Sequence, residues 1–217
     1  MENYTLSPRQ PEADIPKWAR FVSFFFSPLL IPTYCVALVM WLTPLSALSE
    51  NTRLGVTFIV FLVTAAMPFS FRATYAKVYR DKENRLRAID TLTTVVMIVS
   101  QLICGFYLYY LHAPAWMVLI LVGAAVSTSV FLIMCRLMRI SGYTFTMGTL
   151  TAVIIYLSHF SLLEVPATGW IMGAIVLSGL VGSAGTAASG LKLSAVALGY
   201  FAGAAIMYGV LSLYVFI

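Results

Sequence analysis

Charged side chains are scarce in this chain. Asp, Glu, Lys and Arg make up 10% of its 217 residues, whereas 61% of the residues are hydrophobic. The charged share is less than half of the ~25% found in soluble domains. This composition excludes an ordinary soluble domain, and its hydrophobicity excludes a disordered chain. A polytopic membrane protein, whose apolar surface is solvated by lipid, fits both figures.

Cysteine and histidine are also rare. The three cysteines, Cys35, Cys104 and Cys135, lie singly in separate apolar segments, which argues against a disulfide framework and a metal cluster. The only two histidines are His112 and His159. No Ser-His-Asp set and no glycine-rich nucleotide loop is evident. The sequence therefore predicts no metal and no cofactor.

Seven apolar segments follow a polar tail at residues 1–17. Each segment is close to the ~20 residues that cross ~30 Å of hydrocarbon, so we predict an all-α polytopic bundle in which residues 18–217 form one transmembrane domain. Six spans would result if Pro28 and Pro32 break the first segment into two short helices. The predicted segments are Phe21–Leu42, Leu54–Phe71, Thr91–Leu111, Ala115–Met138, Tyr143–Leu163, Gly169–Ala187 and Leu193–Ile217.

The net charge of +5 is distributed unevenly over this arrangement. Twelve of the thirteen Lys and Arg residues fall on the side of the N-terminus, and only Arg53 falls on the other. Because basic residues stay in the cytoplasm, the sequence predicts a cytoplasmic N-terminus and an external C-terminus. The charge thus indicates sidedness, and we expect membrane lipids rather than nucleic acid as partners.

The longest polar connection is the basic cytoplasmic loop at 72–90, with six basic and three acidic residues. The positive charge of such a loop can keep it on the cytoplasmic side of the membrane and attract anionic lipids. Its arginines could also grip a phosphate through paired N–H donors. Two shorter connections, at 139–143 and 182–192, lie on the same predicted face.

Three motif-like connections on one face of a helical bundle, with the SPLLIPTY run at 27–34, resemble the type 2 phosphatidic acid phosphatase superfamily, in its small bacterial branch. The family's motifs are Lys, six residues and Arg-Pro; then Pro-Ser-Gly-His; then Ser-Arg, five residues and His. The resemblance implies an inner-membrane protein and phosphoester hydrolysis through a phosphohistidine.

The resemblance also implies which residues hold phosphate. The first motif corresponds to residues 81–88, where Arg85 or Arg87 keeps the phosphate-binding role. The second corresponds to residues 140–143 and retains Ser141, while Lys192 follows the third. Arg85, Arg87, Ser141 and Lys192 are therefore the candidate ligands of a phospholipid or prenyl-phosphate headgroup.

The family's catalytic positions are substituted. Ala88 replaces the first-motif Pro and Tyr143 the second-motif His, while Gly185 and Leu191 replace the third-motif Arg and His. The predicted topology puts both remaining histidines on the outer face, across ~30 Å of membrane. We therefore expect a phosphatase-like protein without phosphohistidine catalysis; if it is active, the family implies a lipid phosphate phosphatase.

Two other functions are compatible with the sequence. Small residues every fourth position from Ala174 to Gly190, continued by Gly199 and Gly203, allow close helix packing. They favour either a tight pair of the last two segments or a structural subunit that assembles with itself or other membrane proteins. A small-molecule carrier is a weaker hypothesis, for which Gln101 and His159 would matter. Gln101 in mid-segment otherwise predicts an interhelical hydrogen bond.

Overall fold

A computed structural model describes residues 22, 25–78, 83–138, 140–189 and 192–213, except for the side chains of 76–78, 83–90, 185 and 187–189. These residues form helices and turns without a β-strand. The helices are α1 (Ile31–Leu42), α2 (Glu50–Phe61), α3 (Met67–Val78), α4 (Glu83–Tyr110), α5 (Ala115–Leu137), α6 (Gly142–His159), α7 (Ala167–Ser189) and α8 (Leu193–Ser212), with a 3-10 turn at Pro44–Ala47 and a π turn at Leu62–Ala66.

Among the residues that the structure describes, five helical stretches are long and apolar enough to cross a membrane, and they coincide with five of the seven predicted segments. The helical membrane-protein prediction is confirmed at this level. The longest stretch runs unbroken through α2, the π turn and α3, and Ser49 caps its start by accepting a hydrogen bond from Thr52 N–H. The five are Glu50–Tyr75, Thr91–Tyr110, Ala115–Leu137, Ala167–Ala184 and Leu193–Ser212.

The fifth predicted segment corresponds to α6, the most buried helix of the bundle. Twelve of its 18 residues are buried, and it packs against α7 and α8, with further contacts to α1 and α5. Its threonines reduce its hydropathy, yet their hydroxyls donate to carbonyls of the preceding turn, as at Thr146 and Thr151. Because protein rather than lipid surrounds α6, it tolerates these polar side chains.

The first predicted segment is interrupted at Pro28. Pro28 lies in a turn that precedes α1, and Pro32 lies in the first helical turn, where a missing N–H is tolerated. The 12 residues of α1 extend about 18 Å, roughly half of the hydrocarbon thickness. The segment is therefore interrupted at Pro28 but not at Pro32, and α1 is a half-length helix. Most of 21–24 lies outside the described residues, so the choice between six and seven spans stays a prediction.

A π turn relieves a proline clash in the second crossing stretch. Met67 N–H donates five residues back, to the Leu62 carbonyl. In a regular α-helix the Pro68 ring would collide with the Thr64 carbonyl and leave it without its usual donor. The wider turn accommodates the ring. The Thr64 hydroxyl donates to the Val60 carbonyl at 2.8 Å and contacts the Thr33 hydroxyl at 3.4 Å, which links this turn to α1.

Glycines bring α6 and α8 into backbone contact. A Cβ atom at Gly148 would overlap the Tyr200 carbonyl oxygen, and one at Gly203 would overlap the Phe145 carbonyl oxygen. The interpretation that the last two segments form the tight pair is wrong, because α7 and α8 each pack mainly against α6. The small residues of α8 thus serve a pairing with the fifth segment.

The bundle has two ends, which we name the Ser141 end and the Glu164 end. The Ser141 end contains the α5–α6 and α7–α8 connections. The Glu164 end contains the α1–α2, α4–α5 and α6–α7 connections. At the latter, Glu164 N–H donates to the Leu42 carbonyl at 3.0 Å and Ser46 donates to the Glu164 carboxylate at 2.8 Å. These bonds join the α1–α2 and α6–α7 connections.

The glycine contact predicts unequal effects for two substitutions in α8. Gly203→Ala forces a methyl group onto the Phe145 carbonyl, so we expect a loss of about 1–3 kcal/mol in the free energy of unfolding. Gly209→Ala is the matched control, because a Cβ atom there has nothing within 4 Å. Its better helix propensity should keep stability unchanged or raise it by up to ~1 kcal/mol. Unfolding in mixed detergent micelles measures both, and equal stabilities would contradict the contact.

Candidate functional site

The predicted phosphate ligands of the first motif lie at the start of α4. Arg85, Arg87 and Ala88 are in its first two turns, where their side chains lie outside the described part of the chain. Helix covers 67–78 and 83–110, so most of the predicted basic loop at 72–90 is helical. The helical start of α4 carries both arginines at the Ser141 end, because α4 turns tightly into α5 at the opposite end.

The second-motif residues lie at the start of α6. Ser141 is 3% exposed and is the N-cap of α6, where its hydroxyl accepts a 3.5 Å hydrogen bond from Thr144 N–H. Tyr143 is half-buried and packs against the hydrophobic core. Ser141 therefore has a structural role as a helix cap, whatever its role toward a ligand.

The third-motif positions lie around the α7–α8 connection. Gly185 is within α7, Leu191 lies outside the described residues, and Lys192 precedes α8 as an exposed N-cap residue. Of the four predicted ligands, Lys192 is the one whose charged side chain is described and exposed. The side chains of Arg85 and Arg87 lie outside the described part of the chain, so a phosphate pocket shared with Lys192 stays a prediction.

The second and third motif segments meet at one place, which we name the Thr144 junction (Ser141, Thr144, Gly182, Val196 and Gly199). A Cβ atom at Gly199 would lie 2.9 Å from Thr144 Oγ1 and 3.0 Å from the Ser141 carbonyl oxygen. One at Gly182 would lie 3.4 Å from Thr144 Cγ2 and 3.0 Å from Val196 Cγ1. A side chain at Gly199 would have to displace its neighbours, so glycine there allows the close approach of α6 and α8, and the contacts at Gly182 are nearly as tight.

The junction itself is closed and hydrogen-bonded. Thr144 is 1% exposed, and its hydroxyl donates to the Ser141 carbonyl at 3.2 Å. Among the described side chains at the Ser141 end, Arg72, Arg136 and Lys192 are exposed cations. The surface of this end can therefore attract an anionic group. The junction beneath it holds the starts of α6 and α8 in place.

Neither histidine lies at this end. His112 occupies the α4–α5 turn with a φ of 55°, and His159 ends α6 beside the Phe160 ring, 5.1 Å between ring centroids. Both side chains are exposed at the Glu164 end. Within the part of the chain that the structure describes, no group of three His, Cys, Asp or Glu residues could hold a metal ion.

Gln101 forms the interhelical contact that the sequence predicts. It is fully buried, and Thr128 Oγ1 of α5 lies 3.4 Å from its Oε1 atom. Thr144 and the neighbours of Gln101 were not predicted from the sequence. The sequence gives one indirect signal for Thr144. Gly182 and Gly199 each belong to a series of small residues spaced four apart, but such a spacing does not show which helix packs against it.

No family model, no curated protein and no solved structure matches the chain. Its likeness to the type 2 phosphatidic acid phosphatases therefore stays a hypothesis based on motif order and on the residues named above.

The Thr144 junction predicts a specific cross-link. With the three native cysteines replaced by alanine, Thr144→Cys and Gly182→Cys should form a disulfide on mild oxidation, since a Cβ atom at 182 would lie 3.4 Å from Thr144 Cγ2, a position that a cysteine sulfur can take. Gly179→Cys is the control partner, because a Cβ atom there has nothing within 4 Å. Mass spectrometry of proteolytic peptides detects the bond. A cross-link of Thr144→Cys with Gly179→Cys but not with Gly182→Cys would refute the junction.

Proposed function

We propose that the chain is a phosphatase-like integral membrane protein that binds the phosphate of a phospholipid or prenyl-phosphate headgroup and lacks phosphohistidine catalysis. The supporting observation is the Thr144 junction, because it joins the segments that match the second and third family motifs. The binding pocket would lie at the surface of the Ser141 end. Arg85, Arg87, Ser141 and Lys192 are its proposed ligands.

The direction of the helices supports an anion site at this end. Three helices, α4, α6 and α8, begin there, and the N-terminus of a helix carries a partial positive charge that favours anions. Lys192 adds a full positive charge at the start of α8. A phosphate group combines negative charge with several acceptor oxygens, which suits both a helix N-terminus and cationic side chains.

The length of α4 supports binding at the depth of lipid headgroups. Its 28 residues exceed the 23 residues of α5, to which it is joined by a short turn. The start of α4 therefore extends about 7 Å beyond the end of α5. Arg85 and Arg87 lie on this extension, where a headgroup phosphate would be found rather than an acyl chain.

The distribution of acid-base groups supports the proposed loss of catalysis. The family's phosphohistidine chemistry needs a histidine nucleophile beside the phosphate-binding residues. Both histidines of this chain are exposed at the Glu164 end, roughly 30 Å away if the bundle spans a bilayer. Tyr143, at the position of the family's second-motif histidine, packs against the core.

Charge removal at the Ser141 end should weaken headgroup binding. We expect Arg85→Gln, Arg87→Gln and Lys192→Gln each to raise the Kd for short-chain phosphatidate about ten- to a hundredfold, because each loses a charge-assisted hydrogen bond of about 1.5–3 kcal/mol. Arg53→Gln at the Glu164 end is the control with the same charge change. Calorimetric titration of the purified protein measures the affinities.

Two results would count against this function. Unchanged phosphatidate affinity in all three variants would remove the proposed pocket. Robust phosphate release from phosphatidate or a prenyl pyrophosphate, abolished by Arg85→Gln or Tyr143→Phe, would overturn the proposed loss of catalysis.

We further propose that the protein resides in a bacterial inner membrane with the Ser141 end and the N-terminus in the cytoplasm and the C-terminus outside. Twelve of its thirteen basic residues support this orientation. In intact cells an impermeant maleimide should label Glu164→Cys, and should label Lys192→Cys only after permeabilisation. The reverse pattern would invert the orientation. The background for both variants lacks the native cysteines.

One observation favours an assembly subunit as a second candidate function. Gly169 and Gly173 are four residues apart on α7, and a Cβ atom at either would have nothing within 4 Å. Such a pair lets a helix of another copy, or of another membrane protein, approach closely. For a protein with this function alone, the three charge substitutions would leave phosphatidate affinity unchanged.

A further inference from the structure

A small cavity lies inside the bundle, between α1, α4, α5 and α6. Its volume is about 20 Å³, and its polar lining comes from Gln101, Ser127, Thr128, Thr146 and Thr149. Thr128 and Thr146 are half-buried, whereas Gln101 and Ser127 are 0% and 2% exposed. We name the part of this recess beside Gln101 and Ser127, its two least exposed polar residues, the blind end.

The blind end lies near the middle of the membrane. Gln101 precedes the last residue of α4 by nine positions and Ser127 follows the first residue of α5 by twelve. At 1.5 Å per residue these positions are about 14 and 18 Å from the Glu164 end, within a hydrocarbon layer of ~30 Å. Polar side chains at this depth are costly to bury without partners and commonly mark functional sites.

Two hydrogen-bonding atoms at the blind end have no protein partner among the described residues. They are Nε2 of Gln101 and Oγ of Ser127, both fully buried. The Gln101 Oε1 atom has the Thr128 hydroxyl at 3.4 Å. Rotating the amide by 180° would only exchange which of its two ends lacks a partner. The unmet capacity therefore does not depend on how the amide is oriented.

The surrounding threonines supply acceptors. The Thr149 hydroxyl donates to the Thr146 carbonyl at 2.7 Å, and the Thr128 hydroxyl donates to the Ala124 carbonyl at 2.8 Å. Each hydroxyl oxygen retains lone pairs after donating. The lining thus offers N–H and O–H donors beside hydroxyl acceptors. It contains no charged residue in the part of the chain that the structure describes.

From these groups we infer that the recess is a binding site for a single uncharged hydroxyl group. With Nε2 of Gln101 unpartnered, the hydroxyl oxygen accepts from Gln101 and Ser127 and donates to a threonine oxygen. With the amide rotated, the hydroxyl donates to the Gln101 oxygen and still accepts from Ser127, so a hydroxyl suits either orientation. The volume of about 20 Å³ exceeds the ~10–15 Å³ that one water needs and is too small for a whole headgroup. The hydroxyl comes from a water molecule or from the end of a membrane-dissolved alcohol. This site does not depend on phosphate binding at the Ser141 end.

The sequence allows a direct test, because Gln101 shares its residue type only with Gln10. In Gln10→Asn protein with ¹⁵N-labelled glutamine in lipid nanodiscs, one side-chain amide signal remains. We expect a magnetisation-transfer cross-peak between this amide and a hydroxyl proton. Ser127→Ala should shift the amide signal and weaken the cross-peak. Ser129→Ala is the control, since Ser129 already donates to the Ala125 carbonyl at 2.8 Å and should leave both unchanged.

A titration with a long-chain alcohol, compared with its methyl ether, identifies the source of the hydroxyl. A cross-peak to water that persists with alcohol supports bound water. A cross-peak transferred to the alcohol, and unaffected by the ether, supports an alcohol ligand. The absence of any hydroxyl cross-peak, with an amide signal unchanged by Ser127→Ala, overturns the proposal. Ser127→Ala removes one oxygen atom from the site, and the dispersion of the amide signal confirms that each variant is folded.

Discussion

Backbone contact between α6 and α8 is the interaction on which the bundle depends. In a bilayer, acyl chains solvate apolar helix surfaces as well as other helices do, so the hydrophobic effect does not drive helices together. Their association depends instead on close van der Waals packing. Gly148 and Gly203 provide it by placing each helix against a carbonyl of the other. Because α6 is held in this way, its first turn reaches the Thr144 junction, and its threonines line the polar recess beside Gln101.

The irregular parts of the fold surround this fixed centre. The half-length α1 and the π turn before Pro68 are both places where a regular ladder of backbone hydrogen bonds is interrupted. Such interruptions are tolerated at membrane depth where protein contacts surround them. Here the hydroxyls of Thr33 and Thr64 join the two interruptions across the interface. The recess beside Gln101 is lined in part by the start of α1 and by Pro28 just before it. A full-length helix at this place would continue the apolar surface of α1.

Much of the helix layout could be predicted because it follows from local composition. The fourth predicted segment, Ala115–Met138, differs from α5 by one residue, since Pro114 marks the start. The start of the second stretch was missed by four residues because its cap, Ser49, precedes polar rather than apolar residues. Helix pairing could not be predicted. A spacing of glycines shows that one helix face is flat. Which helix packs against that face depends on residues distant in sequence, as Gly148 packs against the carbonyl of Tyr200.

The same distinction applies to the site. The connections at 139–143 and 182–192 can be located along the chain, and the structure brings residues of both regions together at the Thr144 junction. Thr144, in contrast, looks like one of several threonines in α6, and its position between Gly182 and Gly199 results from three helices meeting. Gln101 was visible as an isolated polar residue in an apolar segment, but Ser127 and Thr149 join it only through the packing of α5 and α6.

The π turn at Leu62–Ala66 also changes how the surface of its helix should be interpreted. A π turn contains one residue more than an α turn, so every later position lies about 100° short of where a continuous α-helix would place it. Val60 before the turn, Thr64 within it and Pro68 after it are nevertheless all buried. The turn therefore shifts the phase of the helix while the face that packs against the bundle continues through it.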